Sequence, residues 1–173
     1  YNLIWVGPDE VGNLEPNEME MALGFDRDHT RGSFTMKERL EALENAFQVN
    51  TIAYHLSPLR RMFPNGIRVL SLFAGVGGAE VALHKIGIYL RHVVCVEINE
   101  KCRNVVEIWW KKTNQKGNII FINDVQDLTY DVLSRISKEM GGFDLVIGSS
   151  PCADPSGEEK EEDCRLFYEF PRI

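Results

Sequence analysis

A chain of 173 residues that is 44% hydrophobic and 26% charged has enough apolar material for one packed core, and its composition excludes disorder and fibrous repeats. A net charge of −7 argues against a generalised electrostatic grip on nucleic acid, because that grip comes from Lys and Arg displacing counterions from phosphates. Seven acids and three bases follow position 150, so the tail carries −4 of that charge and the body is nearly balanced. Local basic faces around Arg60, Arg61 and Arg68, or Lys111 and Lys112, stay open beside the simpler reading of solvated charges. No apolar run approaches the roughly 20 residues of a membrane span, and "YNLIWVGPDE" lacks the basic and apolar regions of a signal peptide. Cys95, Cys102, Cys152 and Cys164 form no CxxC pair, which fits a reducing, intracellular compartment. His29, His55, His84 and His92 make no ligand cluster and read as scattered surface or core residues, so no metal is expected. The start without Met and the stop inside "LFYEFPRI" read as a piece of a longer protein.

In chain order, residues 1–66 form an N-terminal helical segment. "LEPNEMEMALGF" predicts a short helix opened by Pro16, "DRDHTRGS" a polar loop, and "TMKERLEALENAFQVNTIAYHLSPLRRMF" one longer helix. Pro58, Pro64 and Asn65-Gly66 mark the junction. Residues 67–152 then alternate regularly: "IRVLSLF" a strand, "GGAEVALHKIG" a helix, "HVVCVEI" a strand. Next come a helix with Asn99 as cap and Gly117 past its end, "NIIFI" a strand, a helix capped by Thr129, and "FDLVIG" a strand. Near-continuous apolar strands alternating with helices predict an α/β fold with a parallel, doubly wound, Rossmann-like sheet. Residues 153–173 read as an acidic loop and the start of a further element, within a single domain overall.

Ligands of such sheets lie outside the carboxyl ends of the strands. The first strand ends in "FAGVGG", where Gly75, Gly77 and Gly78 allow a tight turn and close backbone approach. The second ends in Glu97, 20 residues past Gly77, an acid placed to accept from a ribose diol. The third ends in Asp124, which suits an exocyclic adenine amine or, equally, a turn cap. The fourth delivers "SSPC", where Pro151 fixes the chain and Cys152 is the candidate nucleophile. The loop and strand ends offer the acids Glu80, Glu97 and Asp124, with no adjacent base for a pyrophosphate. S-adenosylmethionine, with its sulfonium and amino group, is therefore the leading cofactor and NAD the second.

"FAGVGG", Glu97 in "VEI", Asp124 in "NDV" and "SPC" resemble, in order and spacing, motifs one to four of the cytosine carbon-5 DNA methyltransferases. "LEPNEMEMALGF" and "ALENAFQVNTIAYHL" resemble motifs nine and ten, yet precede motif one. That circularly permuted order is similar to the plant domains-rearranged methyltransferases, the de novo enzymes of RNA-directed DNA methylation. The resemblance implies a class I S-adenosylmethionine-dependent methyltransferase fold. It implies a cofactor held by Phe73, Ala74, Gly75, Val76, Gly77, Gly78, Glu97, Ile98, Asp124, Val125 and Asn45, with Cys152 attacking carbon 6 of a flipped-out cytosine in DNA. A nuclear location, a role in gene silencing and a homo- or heterodimer with a related methyltransferase go with it; no membrane does.

Three departures accompany the resemblance. "ADPSGEEKEED" follows Cys152 where family members carry a polar DNA-meeting loop, and its carboxylates would raise the thiol's pKa and repel phosphates. Glu44-Asn45 stands where the tenth motif commonly has Gly-Asn. The Glu-Asn-Val and arginine motifs, expected before Tyr1 in a permuted protein, are absent from this chain. A catalytically inactive paralogue that partners an active enzyme is thus the alternative to the enzyme. A methyltransferase for another substrate and a dinucleotide oxidoreductase stand behind both.

Overall fold

A computed structural model describes residues 3–5, 7–32, 34–150, 166 and 168–173. A short antiparallel hairpin, β1 (Leu3–Trp5) with β2 (Val11–Asn13), opens the chain. The sequence reading has no counterpart for it, since three-residue strands are too short to display a period.

Helix α1 (Pro16–Leu23) starts at Pro16, whose missing N–H costs nothing in a first turn, and closes on Gly24. Helix α2 (Met36–Glu44) is opened by Thr35, which exchanges hydrogen bonds with Glu38 in a capping box. The single long helix expected over "TMKERLEALENAFQVNTIAYHLSPLRRMF" is three: α2, α3 (Val49–Leu56) and α4 (Leu59–Met62). Side chains make both breaks. Asn45 donates to the Glu41 carbonyl at 3.0 Å, and Gln48 accepts from Thr51 N–H at 2.6 Å, so polar side chains take over ladder positions. Pro58 has no N–H for a continuing ladder.

Strands β3 (Ile67–Leu72), β4 (Leu90–Val96), β5 (Asn118–Ile122) and β6 (Leu145–Gly148) form a four-stranded, wholly parallel sheet in the order β5-β4-β3-β6. Helices α5 (Gly78–Lys85), α6 (Glu100–Lys112) and α7 (Tyr130–Met140) make the crossovers. Asn99 and Thr129 cap α6 and α7 as their positions predict. Gly117 does not end α6, whose cap is Thr113; it enters β5, where a Cβ would lie 1.8 Å from the Leu90 carbonyl oxygen.

Alternating residues of the central strands serve two cores. Ile67, Val69, Val93 and Cys95 face α5 and α6, and the N-terminal helices contribute Met19, Leu43, Val49 and Ala53 to the same cluster. Leu70, Leu72, Val94 and Val96 face α7, with Phe170 and Ile173 packed against that side. Both faces are therefore covered, which is the doubly wound arrangement. The chain runs outward from β3 through β4 to β5, then returns to β6 on the other flank of β3, which puts the switch point beside β3.

Arg68 locks that flank. Its backbone N–H and Nε donate to Asp144 Oδ2, each at 2.9 Å, and its Nη2 donates to Oδ1 at 2.6 Å. The guanidinium holds the Asp144 carboxyl below the ordinary carboxylate range, so Arg68 is a structural clip and no part of an open basic face. Among the described residues no helix is long and apolar enough to cross a membrane.

Candidate cofactor site

Strand β3 runs into its turn through Phe73, a non-glycine residue at φ +51° whose ring lies 5.8 Å from that of Phe170. Such a conformation costs roughly 1–3 kcal/mol and persists where the surrounding structure demands it. Gly75 follows at φ +53°, and a Cβ there would meet no protein atom within 4 Å: the backbone faces open space. Its amide is already oriented. Gly75 N–H donates to Glu97 Oε2 at 2.8 Å, while Glu97 Oε1 accepts from Asn99 N–H, also at 2.8 Å. Arg103 reaches back from α6 to the carbonyls of Glu97 and Ile98, at 2.6 and 2.8 Å, and fixes the tip of β4. Each Glu97 oxygen keeps a second lone pair for a ligand.

Asp124 fills the turn-cap role and also stands at the cavity. Its Oδ1 accepts from Gln126 N–H at 2.9 Å, capping a 3₁₀ turn over Val125–Asp127, and the residue lines the same cavity as Glu97. That cavity holds about 920 Å³, within the range of small-molecule sites. Its opposite wall is α2. Lys101 Nζ donates to Glu38 Oε1 at 2.6 Å and sits 5.9 Å from the centre of the Phe34 ring, so α6 and α2 are tied across the mouth. The bond from Lys101 draws the Glu38 carboxyl down to about 2.

Among the described lining residues, Glu38, Glu41, Glu44, Glu97, Glu100 and Asp124 face one base, Lys101, which Glu38 engages. A wall of this sign disfavours a pyrophosphate and favours a ligand carrying positive charge. The glycine cradle and the Glu97 carboxylate suit either adenosine-containing ligand, and this charge fits S-adenosylmethionine better than NAD.

Glu80 corrects the expectation that it offers an acid to the ligand. It lies on the first turn of α5 beneath the glycine turn, wholly buried, and neither carboxylate oxygen has a well-formed hydrogen bond. Burial raises its pKa, and the nearby Ser71 hydroxyl offsets this only in part. A raised acid pKa stabilises the fold in full below the unfolded value of 4.5; above it the unfolded chain ionises first, and stability falls as pH climbs toward the folded pKa. Glu80→Gln is expected to remove this decline, worth up to about 1.4 kcal/mol per pH unit. Melting curves from pH 4.5 to 8 check it: the variant's advantage should grow with pH, and parallel curves would show that Glu80 ionises normally.

Burial pushes Cys102 up to about 12 and Cys95 well above the usual thiol range, so neither supplies a thiolate. Cys152 lies outside the described residues. Ser149 and Ser150, at the end of β6, line the cavity.

Of the residues singled out for a cofactor, Asn45, Phe73, Gly75, Glu97, Ile98, Asp124 and Val125 line the main cavity. Ala74, Val76 and Gly78 line a small recess adjoining it. Gly77 lines neither and serves as the left-handed cap of α5. Sequence reading missed Phe34, Glu38, Phe47 and Lys101, which come together at the site because α2 is tied to α6 and the chain after α2 packs against the start of α5. It also missed His29, whose Nε2 meets the Val76 carbonyl at 2.8 Å.

Residues 67–173 match the family described as C-5 cytosine-specific DNA methylase. The DNA (cytosine-5)-methyltransferase DRM2 of Oryza sativa subsp. japonica is 49% identical over 180 residues, which covers 100% of this chain and 30% of the relative. Its namesake in Arabidopsis thaliana is 47% identical over 181 residues, covering 100% and 29%. The protein named "Probable inactive DNA (cytosine-5)-methyltransferase DRM3" in Oryza sativa subsp. japonica is 40% identical over 177 residues, covering 99% and 26%. The chain thus spans less than a third of the length of these curated relatives. A match that runs from the first strand of the parallel sheet through the glycine turn and every strand end around the cavity has one reading: the chain belongs to the C-5 cytosine-specific DNA methylase family.

Proposed function

We propose that this chain is the cofactor-binding part of an enzyme that transfers a methyl group from S-adenosylmethionine to carbon 5 of cytosine in DNA. The observation that carries the reading is the convergence of the Gly75 turn, Glu97 and Asp124 on one cavity at the carboxyl ends of the strands. When bound, the cofactor supplies an electrophilic methyl group on a sulfonium. Glu97 would accept from the ribose hydroxyls, Asp124 from the adenine amine, and Gly75 would let the backbone approach without obstruction. Ile98, 74% exposed at the rim, offers an aliphatic surface to a flat ring. Cys152 would form the bond to carbon 6 of cytosine, which shifts electron density to carbon 5.

DNA is the partner that family membership supports. A nuclear location, gene silencing and pairing with a related methyltransferase belong to the same proposal.

The test uses the full-length protein with S-adenosylmethionine and a duplex containing 5-fluorocytosine. Fluorine cannot leave as a proton does, so attack by Cys152 is expected to trap a denaturant-resistant adduct that Cys152→Ser abolishes. The acidic stretch after Cys152 favours a second reading, an inactive partner of an active enzyme. Cofactor binding with neither adduct nor methyl transfer would establish it in place of the first.

A further inference from the structure

A buried carbonyl needs a donor, and the glycine turn contains one that its own helix does not serve. Val76 is 1% exposed, and the bond from Val81 N–H to the Gly77 carbonyl at 3.0 Å begins the ladder of α5, one residue too late for Val76. The donor comes from 47 residues earlier in the chain: His29 Nε2–H, at 2.8 Å. Burial lowers the imidazole's pKa, which keeps the ring neutral with its proton on Nε2 facing the carbonyl.

The loop that presents His29 is itself fixed. Glu20, wholly buried on α1, accepts from Asp28 N–H at 2.6 Å and Thr30 N–H at 2.8 Å, one through each oxygen. Arg39 of α2 donates to the same carboxylate at 2.8 Å and to the Thr30 hydroxyl at 2.9 Å. The His29 ring stacks on Phe25 with centroids 4.6 Å apart and planes 23° apart. The glycine turn is therefore held from two sides, by Glu97 at the Gly75 amide and by His29 at the Val76 carbonyl.

We infer that His29 is a positioning residue for the cofactor turn: its bond to the Val76 carbonyl keeps the open face of Gly75 presented to the cavity. The role of this turn in cofactor binding rests on the function proposed above; the mechanical tie does not. In the rearranged order of this chain, the segment ahead of the sheet then does more than cover α5. It sets the shape of the loop that meets the ligand.

Two variants with opposite chemistry test this. His29→Phe keeps a ring to stack on Phe25 and has no donor, while His29→Gln carries an amide N–H at about the reach of Nε2. Titration calorimetry with S-adenosylhomocysteine should show binding weakened about 5- to 10-fold in the Phe variant, the value of one buried hydrogen bond, and within about twofold of the parent in the Gln variant. Hydrogen exchange of the Gly75 and Gly77 amides, measured without ligand, should quicken by a similar factor in the Phe variant alone. Equal behaviour of the two variants, or exchange unchanged in both, would overturn the inference. A parent protein that binds no S-adenosylhomocysteine would defeat the proposed function instead, and the exchange measurement would still decide the tie.

Discussion

Glu97→Ala is expected to weaken S-adenosylhomocysteine binding by about 100-fold or more while leaving the far-ultraviolet circular dichroism unchanged. The substitution acts twice. It removes the carboxylate that would face a ribose diol, and it frees the Gly75 and Asn99 amides that this carboxylate holds at 2.8 Å each. Bonds to an ionised acceptor contribute about 1.5–3 kcal/mol apiece, and 100-fold corresponds to about 2.7 kcal/mol, so loss of one ligand contact with partial loosening of the turn suffices. Glu97→Gln sharpens the test. Its single carbonyl oxygen can serve one amide, but its NH₂ group then faces the other amide, so its affinity should fall between those of parent and Ala variant. Calorimetry that finds the Ala variant within a few-fold of the parent would remove Glu97 from the binding site.

Glu20→Ala should cost about 3–5 kcal/mol of stability, a large share of what a domain of this size possesses. Its carboxylate is fully buried and receives Asp28, Thr30 and Arg39, whose own side chain is 14% exposed. Truncation leaves the guanidinium facing a cavity. Burial alone would raise the pKa of Glu20, but the bonds from Thr30 and Arg39 outweigh it and hold the carboxyl below its ordinary value of 4.5. The sign is thus opposite to that of Glu80: this stabilisation is present above pH 4.5 and is lost as pH falls through the folded value. Urea denaturation at pH 7 and pH 3.5 checks both points. The gap between parent and variant should be wide at the first pH and narrower at the second, whereas a gap under 1 kcal/mol at pH 7 would show that Arg39 finds another partner.

The sheet was legible in the sequence because its signals are local. "NIIFI" coincides with β5, Asn99 and Thr129 cap where they should, and strand ends plus wound topology bring Gly75, Glu97 and Asp124 to one rim. The helical segment was less legible. Apolar spacing runs unbroken from Met36 to Phe63, and the break between α2 and α3 depends on Asn45 and Gln48 choosing backbone partners, which spacing does not encode. Glu80 misled for a related reason: a carboxylate one turn into a helix after a glycine loop can point up to the ligand or down into the sheet, and only the packing decides. His29 carried no motif at all. Its significance lies in a carbonyl 47 residues away.

The Glu38–Lys101 tie joins residues 63 positions apart, and the Arg68–Asp144 clip spans 76. Closing loops of that length is entropically slow and is repaid only when the enclosed segments have already condensed. A nascent polypeptide that stops short of Asp144 and β6 therefore lacks the partner of Arg68 and the part of the cavity lining that Ser149 and Ser150 supply. On the ribosome, the cavity should be completed only after β6 has emerged and docked beside β3.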